Sequence, residues 1–391
     1  MRICLYTNTA FPSIGGQEMV VDELARQYQR LGHSVVLMSP EPPHGLKARD
    51  DQFPYRIVRH PRFVSTRWFV SWYELALKRL YREFKYDIIH CHNVYPNGYL
   101  AVQQQLQGGP PVVITSHGGD VRVDNPRYKK RGLLDRYRFT VQRASALVSI
   151  GPFTEQGFLR LGARPDKLHP ISNGVHVDEY SRKVNWPGDL PAQIRSKKYL
   201  FYVGRLVHLK GVDVLLQAAA IQQQLVGPAI DLPDIVIGGD GQQRESLEKL
   251  SCELGLRHRT IFLGNVQGKT KVWLYQNAAM QVIPSRTREA FPMVLLEGFA
   301  AGCPVVASDA PGLSDLVDHE QTGWVVPRNN PEALAERLTE LWQRPDLAKT
   351  VVKAGQLVAR KHDWQHIAEQ HLELFEELTG HQTQFKLRIA A

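Results

Sequence analysis

The chain has 391 residues, of which 43% are hydrophobic and 22% charged, with a formal net charge of +9 at pH 7. That length exceeds what a single core normally organises, so two domains are expected, and the composition is ordinary for a folded soluble protein. No apolar run reaches the length of a membrane span, and the opening residues MRICLYTNTA begin a strand instead of a signal peptide.

Cys4, Cys91, Cys252 and Cys303 stand singly in apolar contexts, as reduced core thiols of a cytoplasmic protein do. Charge is unevenly spread. Residues 1–180 hold 24 Lys and Arg against 16 Asp and Glu, a net +8, whereas residues 181–391 hold 24 against 23, a net +1. The excess points to an anionic partner for the first half.

Strand and helix signals alternate from the start. Arg2 to Thr7 reads as a strand and Asn8 to Gly16 as a turn; Gln17 to Leu31 reads as a helix with Val20, Val21, Leu24, Tyr28 and Leu31 at helical spacing. Gly15 and Gly16, immediately before that helix, would let backbone approach a phosphate and aim N–H groups at it. A plain turn needing positive φ explains the pair equally well. Residues 62–86 are aromatic and basic, with Phe69, Trp72, Tyr73, Ala76, Leu80 and Phe84 at three- and four-residue intervals. A core helix is expected over 75–86. Phe63 to Tyr73, with Trp68 and Trp72, suits an acceptor or an anionic membrane surface.

His90-Cys91-His92 invites a zinc reading, but strand side chains alternate, so Cys91 should face away from both histidines. His92, at the C-terminal end of its strand, is expected to line a ligand cleft. His117 ends the next strand and is followed by Gly118 and Gly119, a position well suited to meet a ligand. Arg122, Arg127, Lys129, Lys130, Arg131 and Arg136 follow as a second basic cluster, either holding an acidic acceptor or simply solvated. Residues 178–197 are polar and carry prolines without a clear period, as an interdomain linker would.

In the second half, Tyr199 to Val203 is a buried strand that exits through Gly204 into a loop carrying Arg205 and Lys210 before a helix near Gly211. Two cations at fixed offsets beside a helix start suit a diphosphate. Gly239-Asp-Gly241 lacks the third glycine of a dinucleotide fingerprint. Met280 to Ser285 is a strand that stops at a proline. A polar turn with Glu289 follows, then a helix from Pro292 to Ala301 containing Glu297, and a strand from Pro304 to Ser308. The free N–H groups of that helix start lie between two carboxylates, which fits a ligand with hydroxyls at both ends and phosphates in the middle. A nucleotide-sugar has that layout.

The stretch from Pro284 to Asp309 resembles the E-x7-E signature of the retaining glycosyltransferases of family 4, with Ala290 where the family usually has glycine. Gly15-Gly16-Gln17-Glu18 is similar to the family's G-G-x-E loop, Thr115-Ser116-His117-Gly118 to its T-x-H-G segment, Ile171 to Val175 to its P-N-G turn, and Gly204 to Gly211 to its G-R-x4-K-G segment. The resemblance covers residues 1 to about 378. It implies the GT-B fold: an α/β chain with two Rossmann-like domains whose parallel sheets face each other across a cleft. The implied divisions are an acceptor domain over 1–177, a linker over 178–197, a donor domain over 198–362, and a terminal helix with tail over 363–391 that crosses back to the first domain.

The same resemblance implies roles. Arg205 and Lys210 would stabilise the leaving diphosphate, His117 would touch the donor sugar, and Glu289 would hold sugar hydroxyls while Glu297 holds the ribose. Gly15, Gly16, Gly204, Gly239, Gly241, Leu263, Ala290, Phe291, Pro292, Met293 and Val294 would complete the donor site. Trp68, Trp72, His92, Arg122 and Arg127 are the acceptor or membrane candidates. No Asp-x-Asp ends a strand, so no metal or other cofactor is expected. The implied partners are a UDP- or GDP-sugar, a glycan or lipid-linked acceptor, and an anionic membrane surface on the inner face. Rival readings are an epimerase or phosphorylase of the same layout, a non-catalytic sugar-nucleotide-binding subunit, and a nucleic-acid binder, for which the chain has no recognisable module.

Overall fold

The computed structural model describes all residues except 14, 63–68, 123, 228–229 and 382–391, and leaves the side chain of Phe69 undescribed. Two compact units are formed: Met1–Asn173 together with the chain from Trp364, and Gly174–Asp363. Residues 178–197 therefore fold within the second unit, where they form two five-residue helices, Val177–Ser181 and Ala192–Ser196, and bury Tyr180, Leu190 and Ile194. A five-residue helix is too short to display a period, so the sequence there reads as linker.

The first unit is built on seven strands: β1 (Arg2–Tyr6), β2 (Ser34–Pro40), β3 (Arg56–His60), β4 (Ile88–Cys91), β5 (Val112–Ser116), β6 (Ala146–Ser149) and β7 (Leu168–Pro170). They pair in the order β3-β2-β1-β4-β5-β6-β7, and every pairing is parallel. Strands buried on both faces read as near-continuous apolar runs, which is why these were visible in the sequence. The faces stay distinct. Cys91 packs in a cluster with Cys4, Tyr6, Ile89 and Ile114, whereas the His90 ring lies 5.2 Å from His371 and 5.5 Å from Phe375. Both of those partners sit on the helix Trp364–Thr379, which also packs on the helix Gly16–Arg30 through Tyr28 and Phe375.

The second unit has six strands: β8 (Tyr199–Val203), β9 (Asp234–Gly238), β10 (Thr260–Gly264), β11 (Met280–Ile283), β12 (Val305–Ser308) and β13 (Trp324–Val326). Their order is β10-β9-β8-β11-β12-β13, again parallel throughout. Alternate residues feed two cores: Tyr199, Phe201, Ile283 and Val305 enter one, and Leu200, Tyr202, Val282 and Val306 the other. In such sheets ligands bind outside the strands' carboxyl ends, at the point where the strand order reverses. That point lies between β1 and β4 in the first unit and between β8 and β11 in the second.

Candidate active site

The reversal point of the second sheet brings together the loops that leave β8 and β11. Gly211 closes the first loop with φ +67°, and a Cβ there would lie 2.1 Å from the Pro284 carbonyl oxygen, so only glycine lets the two loops touch. The Arg286 N–H donates to Leu209 O at 2.9 Å, and the Arg286 guanidinium binds the Asp213 carboxylate at 2.5 and 2.6 Å. Burial works to raise the Asp213 carboxyl, but hydrogen bonds and charge from Arg286 outweigh it and hold the group below its ordinary range. This brace fixes both loops.

Lys210 and Glu289 meet on that scaffold. The ammonium donates to both carboxylate oxygens at 2.6 and 2.8 Å, and Ser285 Oγ donates to Oε1 at 2.6 Å. Glu289 is also held through its backbone, which donates to Pro311 O at 2.9 Å. Arg205, one residue past β8's exit glycine, is exposed and has no ion pair among the described residues. The helix Met293–Ala301 starts nearby with Pro292 as its cap and no side-chain capping bond. Its Met293 and Leu295 N–H groups turn to Phe291 O and Pro292 O, while the Val294 N–H has no partner among the described residues. Such an open amide at a positive helix end favours an anion.

One turn into the same helix, Glu297 sits in a second ion pair, with Lys271 Nζ at 2.6–2.7 Å and the Tyr275 hydroxyl donating at 2.9 Å. Lys271 and Tyr275 share one face of the helix Gly268–Asn277 at i,i+4 spacing. Sequence reading missed both, since each is a common residue on an ordinary helix. Burial and the Glu297 charge raise the Tyr275 phenol, so it stays protonated and donates. Phe291 is half-buried with its ring 6.0 Å from His362, and Ala290, Met293 and Val294 are half-buried around the same turn.

The Gly239–Gly241 loop has a structural cause. A Cβ on Gly239, which has φ +135°, would lie 1.9 Å from Gly204 O, and the Leu206 N–H donates to Asp240 O at 2.9 Å. Here the glycine serves close packing of two loops. Gly239 also donates to Gly264 O at 2.6 Å, which ties in the end of β10 beside the half-buried Leu263.

In the first unit, Gly15 is the N-cap of the helix Gly16–Arg30 with extended backbone and no capping side chain, and the space beside Gly16 is open. Gln17 Nε2 spans the reversal point, donating to Thr7 Oγ1 at 2.8 Å and to His92 O at 3.1 Å. His92 is fully buried and therefore contacts His117 instead of lining a cleft; its Nδ1 lies 3.1 Å from His117 Nε2, with the rings stacked at 5.3 Å. Burial pushes the His117 imidazole down to about 4, so it is neutral near pH 7. The loop that presents it is fastened by Asp120, which accepts from the Val94 N–H at 2.7 Å and from Ser116 Oγ. Asp120 was not singled out in the sequence, because nothing local shows that its partner lies 26 residues earlier.

Among the acceptor candidates, Trp68 lies outside the described residues and Trp72 is 56% exposed. Tyr73, Leu77 and Leu80 form the buried side of the helix Phe69–Phe84, which carries Trp72. Arg122 is held by Asp124 through two 2.8 Å bonds, and Arg127 is exposed. Among the described residues no group of three or more His, Cys, Asp or Glu is arranged to hold a metal ion, and no helix is long and apolar enough to cross a membrane.

Comparison with known proteins agrees with this architecture. The family model described as "Glycosyl transferases group 1" matches residues 191–358, and "Glycosyltransferase Family 4" matches residues 14–179. An uncharacterized glycosyltransferase of Methanocaldococcus jannaschii is 29% identical over 96% of this chain and 98% of its own length. A GDP-mannose-dependent alpha-(1-6)-phosphatidylinositol monomannoside mannosyltransferase of Mycobacterium tuberculosis is 26% identical, covering 94% and 96%. Among solved structures, Anabaena HepE in complex with UDP-glucose superposes with a TM-score of 0.78 at 19% identity, covering 97% of this chain and 100% of that one. With a family model on each half, and two doubly wound parallel sheets carrying the motifs at their reversal points, this chain belongs to the family 4 glycosyltransferases of the GT-B fold.

Proposed function

We propose that the chain transfers a sugar from a nucleoside diphosphate to a hydroxyl of a glycan or lipid-linked acceptor, with the anomeric configuration retained. The observation that carries this reading is the Lys210–Glu289 pair, set beside unpaired Arg205 and the open Val294 N–H where the second sheet reverses. As the glycosidic bond breaks, the diphosphate gains negative charge, and fixed cations and N–H groups stabilise that state more than the ground state. Lys210 exchanges Glu289 for a phosphate oxygen when donor binds, which frees the carboxylate to accept from sugar hydroxyls. Glu297, already oriented by Lys271 and Tyr275, accepts from the ribose hydroxyls.

His117 and the Gly15-Gly16 helix start act in the same reaction from the first unit. With Nε2 engaged by His92, the neutral imidazole keeps Nδ1 for a donor-sugar hydroxyl. The departing phosphate takes the acceptor's proton, so the protein's own cations carry the charge stabilisation and no metal ion is assigned a step. UDP- or GDP-sugars are the proposed donors, and the relatives' named substrates suit that choice.

A thermal-shift panel of UDP-, GDP-, ADP- and TDP-sugars, followed by NMR of the product's anomeric proton, tests the reading. One donor class should stabilise the chain well beyond its free sugar, and the linkage should keep the donor's configuration. An inverted linkage, or no stabilisation by any nucleotide-sugar, contradicts it.

A further inference from the structure

The first unit holds a cavity of about 600 Å³ whose lining includes Arg62, Arg127, Lys130, Arg131 and Arg136 and, among the described residues, no Asp or Glu. None of these five cations forms an ion pair among the described residues, although Arg2, Arg26, Arg56 and Arg59 of the same unit are each held by a carboxylate. They converge from three segments: one follows β3, one surrounds the short turn Pro126–Lys129, and one is the helix Leu133–Arg143. The lining residues Asn8, Pro40, His60 and Asn97 all sit at or just beyond the carboxyl ends of β1 to β4, on the ligand-binding edge of the sheet.

The cavity is also organised. Arg136 donates to the Tyr95 hydroxyl at 3.0 Å and lies over the Tyr99 ring at 5.4 Å, while Arg62 Nε donates to Glu41 O at 2.7 Å. Both guanidinium groups are thus held in place with further N–H donors to spare. Asn97, 1% exposed, lines the same cavity with its Oδ1 lacking a partner. An acceptor-only oxygen beside several cation donors matches a ligand that carries an anion and at least one hydroxyl. The volume lies within the range that encloses a small organic ligand, about 300–1,000 Å³. Guanidinium forks suit phosphate geometry. A phosphate monoester, at about −1.5 to −2, offsets more of this charge than a single carboxylate does and offers three acceptor oxygens to the forks.

We propose that this cavity binds a phosphate ester carried by the sugar acceptor, so that the acceptor is a phosphorylated polyol or the phosphate-bearing headgroup of a lipid. The assignment rests on the transferase reading for the word acceptor, but its test does not use transfer. The experiment is calorimetric titration of the full chain with glycerol 1-phosphate, with uncharged glycerol, and with dihexanoyl phosphatidate below its micelle concentration. Each is run on the wild type, on the double variant Arg131→Gln/Arg136→Gln, and on Arg136→Lys. UDP and GDP titrations of each protein report separately on the donor site.

Glycerol 1-phosphate should bind the wild type, at least tenfold more tightly than glycerol, and weaken several-fold between 50 and 500 mM KCl. The double variant should lose at least tenfold in affinity for the phosphate ester, while Arg136→Lys keeps most of it and nucleotide affinity changes less than twofold. A phosphatidate that binds tenfold more tightly than glycerol 1-phosphate places the phosphate on a lipid; equal affinities place it on a soluble polyol. Equal binding of the phosphate ester to wild type and double variant, or of glycerol and glycerol 1-phosphate to the wild type, overturns the proposal. Loss of UDP and GDP binding in the wild type would instead count against the donor reading.

Discussion

Around the reversal point of the second sheet, three cations already have anionic partners, Lys210 holding Glu289, Lys271 holding Glu297 and Arg286 holding Asp213, and Arg205 alone of those described above has none among the described residues. In the first unit, five cations share a cavity with no acid among the described residues, and a row of imidazoles runs from the buried His371, His90 and His92 to the half-buried His117. Paired charges are placed before any ligand arrives, so they select by position. A ligand there must exchange with a partner already in place. Unpaired cations select by charge, and neutral buried histidines select by hydrogen-bond direction. On the proposed reading, the contrast would give the donor an exacting geometry and the acceptor a looser electrostatic preference.

The sharpest way to break this comparison is acid. Burial lowers His33, His60, His117 and His371 to about 4 and takes His90 and His92 well below the ordinary value. His33, His60, His117 and His371 bind a proton near pH 6.5 in the unfolded chain but only near 4 in the native one, and His90 and His92 are shifted in the same direction. Their stabilisation is therefore complete above pH 6.5 and is lost as pH falls toward 4, at about 1.4 kcal/mol per histidine and pH unit. The charges of neighbouring imidazoles interact, so the sum is not additive, but several kcal/mol should be gone by pH 5. Hydrogen exchange at pH 7 and pH 5 should show the first unit opening while the second, whose Asp213 pair fails only near the carboxylate range, stays protected. Second-unit peptides opening first would reverse the comparison.

Next in size is Lys210→Ala. It should reduce transfer by about 10²–10³-fold, the usual consequence of removing one fixed donor from a developing anion. Its cost to folding should stay near 1–2 kcal/mol, because the pair is partly exposed. A transfer rate near wild type removes Lys210 from the mechanism. Gly239→Ala sets a Cβ against Gly204 O and should destabilise the second unit by about 3 kcal/mol, read as a lower unfolding midpoint in urea.

The smallest effects sharpen the contrast. Glu297→Gln should weaken nucleotide binding about tenfold, or ~1.4 kcal/mol, and unchanged affinity would place the ribose elsewhere. Arg122→Ala, which removes only an exposed pair with Asp124, should alter stability by less than about 0.5 kcal/mol.

Much of this was legible because parallel strands buried on both faces spell out apolar runs, and because loop residues that hold phosphate cluster within a few positions of the strand they leave. Arg205 and Lys210 could be picked out that way as candidates, and Glu289 and Glu297 by their spacing on either side of a helix start. What stayed hidden was pairing at a distance. Lys271 and Tyr275 reach Glu297 from another helix, Asp120 reaches back to Val94, and His371 approaches His90 across 281 positions of chain, with no local pattern to announce any of them. The expectation for His92 failed for the same reason: a strand's end says where a side chain starts, not what covers it.

Placing a nucleoside diphosphate on the chain tests the central claim most directly, through a crystal soaked with the UDP or GDP that the thermal panel selects. The phosphates should lie within hydrogen-bonding distance of Lys210 Nζ and Arg205, with Lys210 drawn off Glu289. Phosphates settled away from the 204–211 loop, with the Lys210–Glu289 pair still closed, would contradict the account.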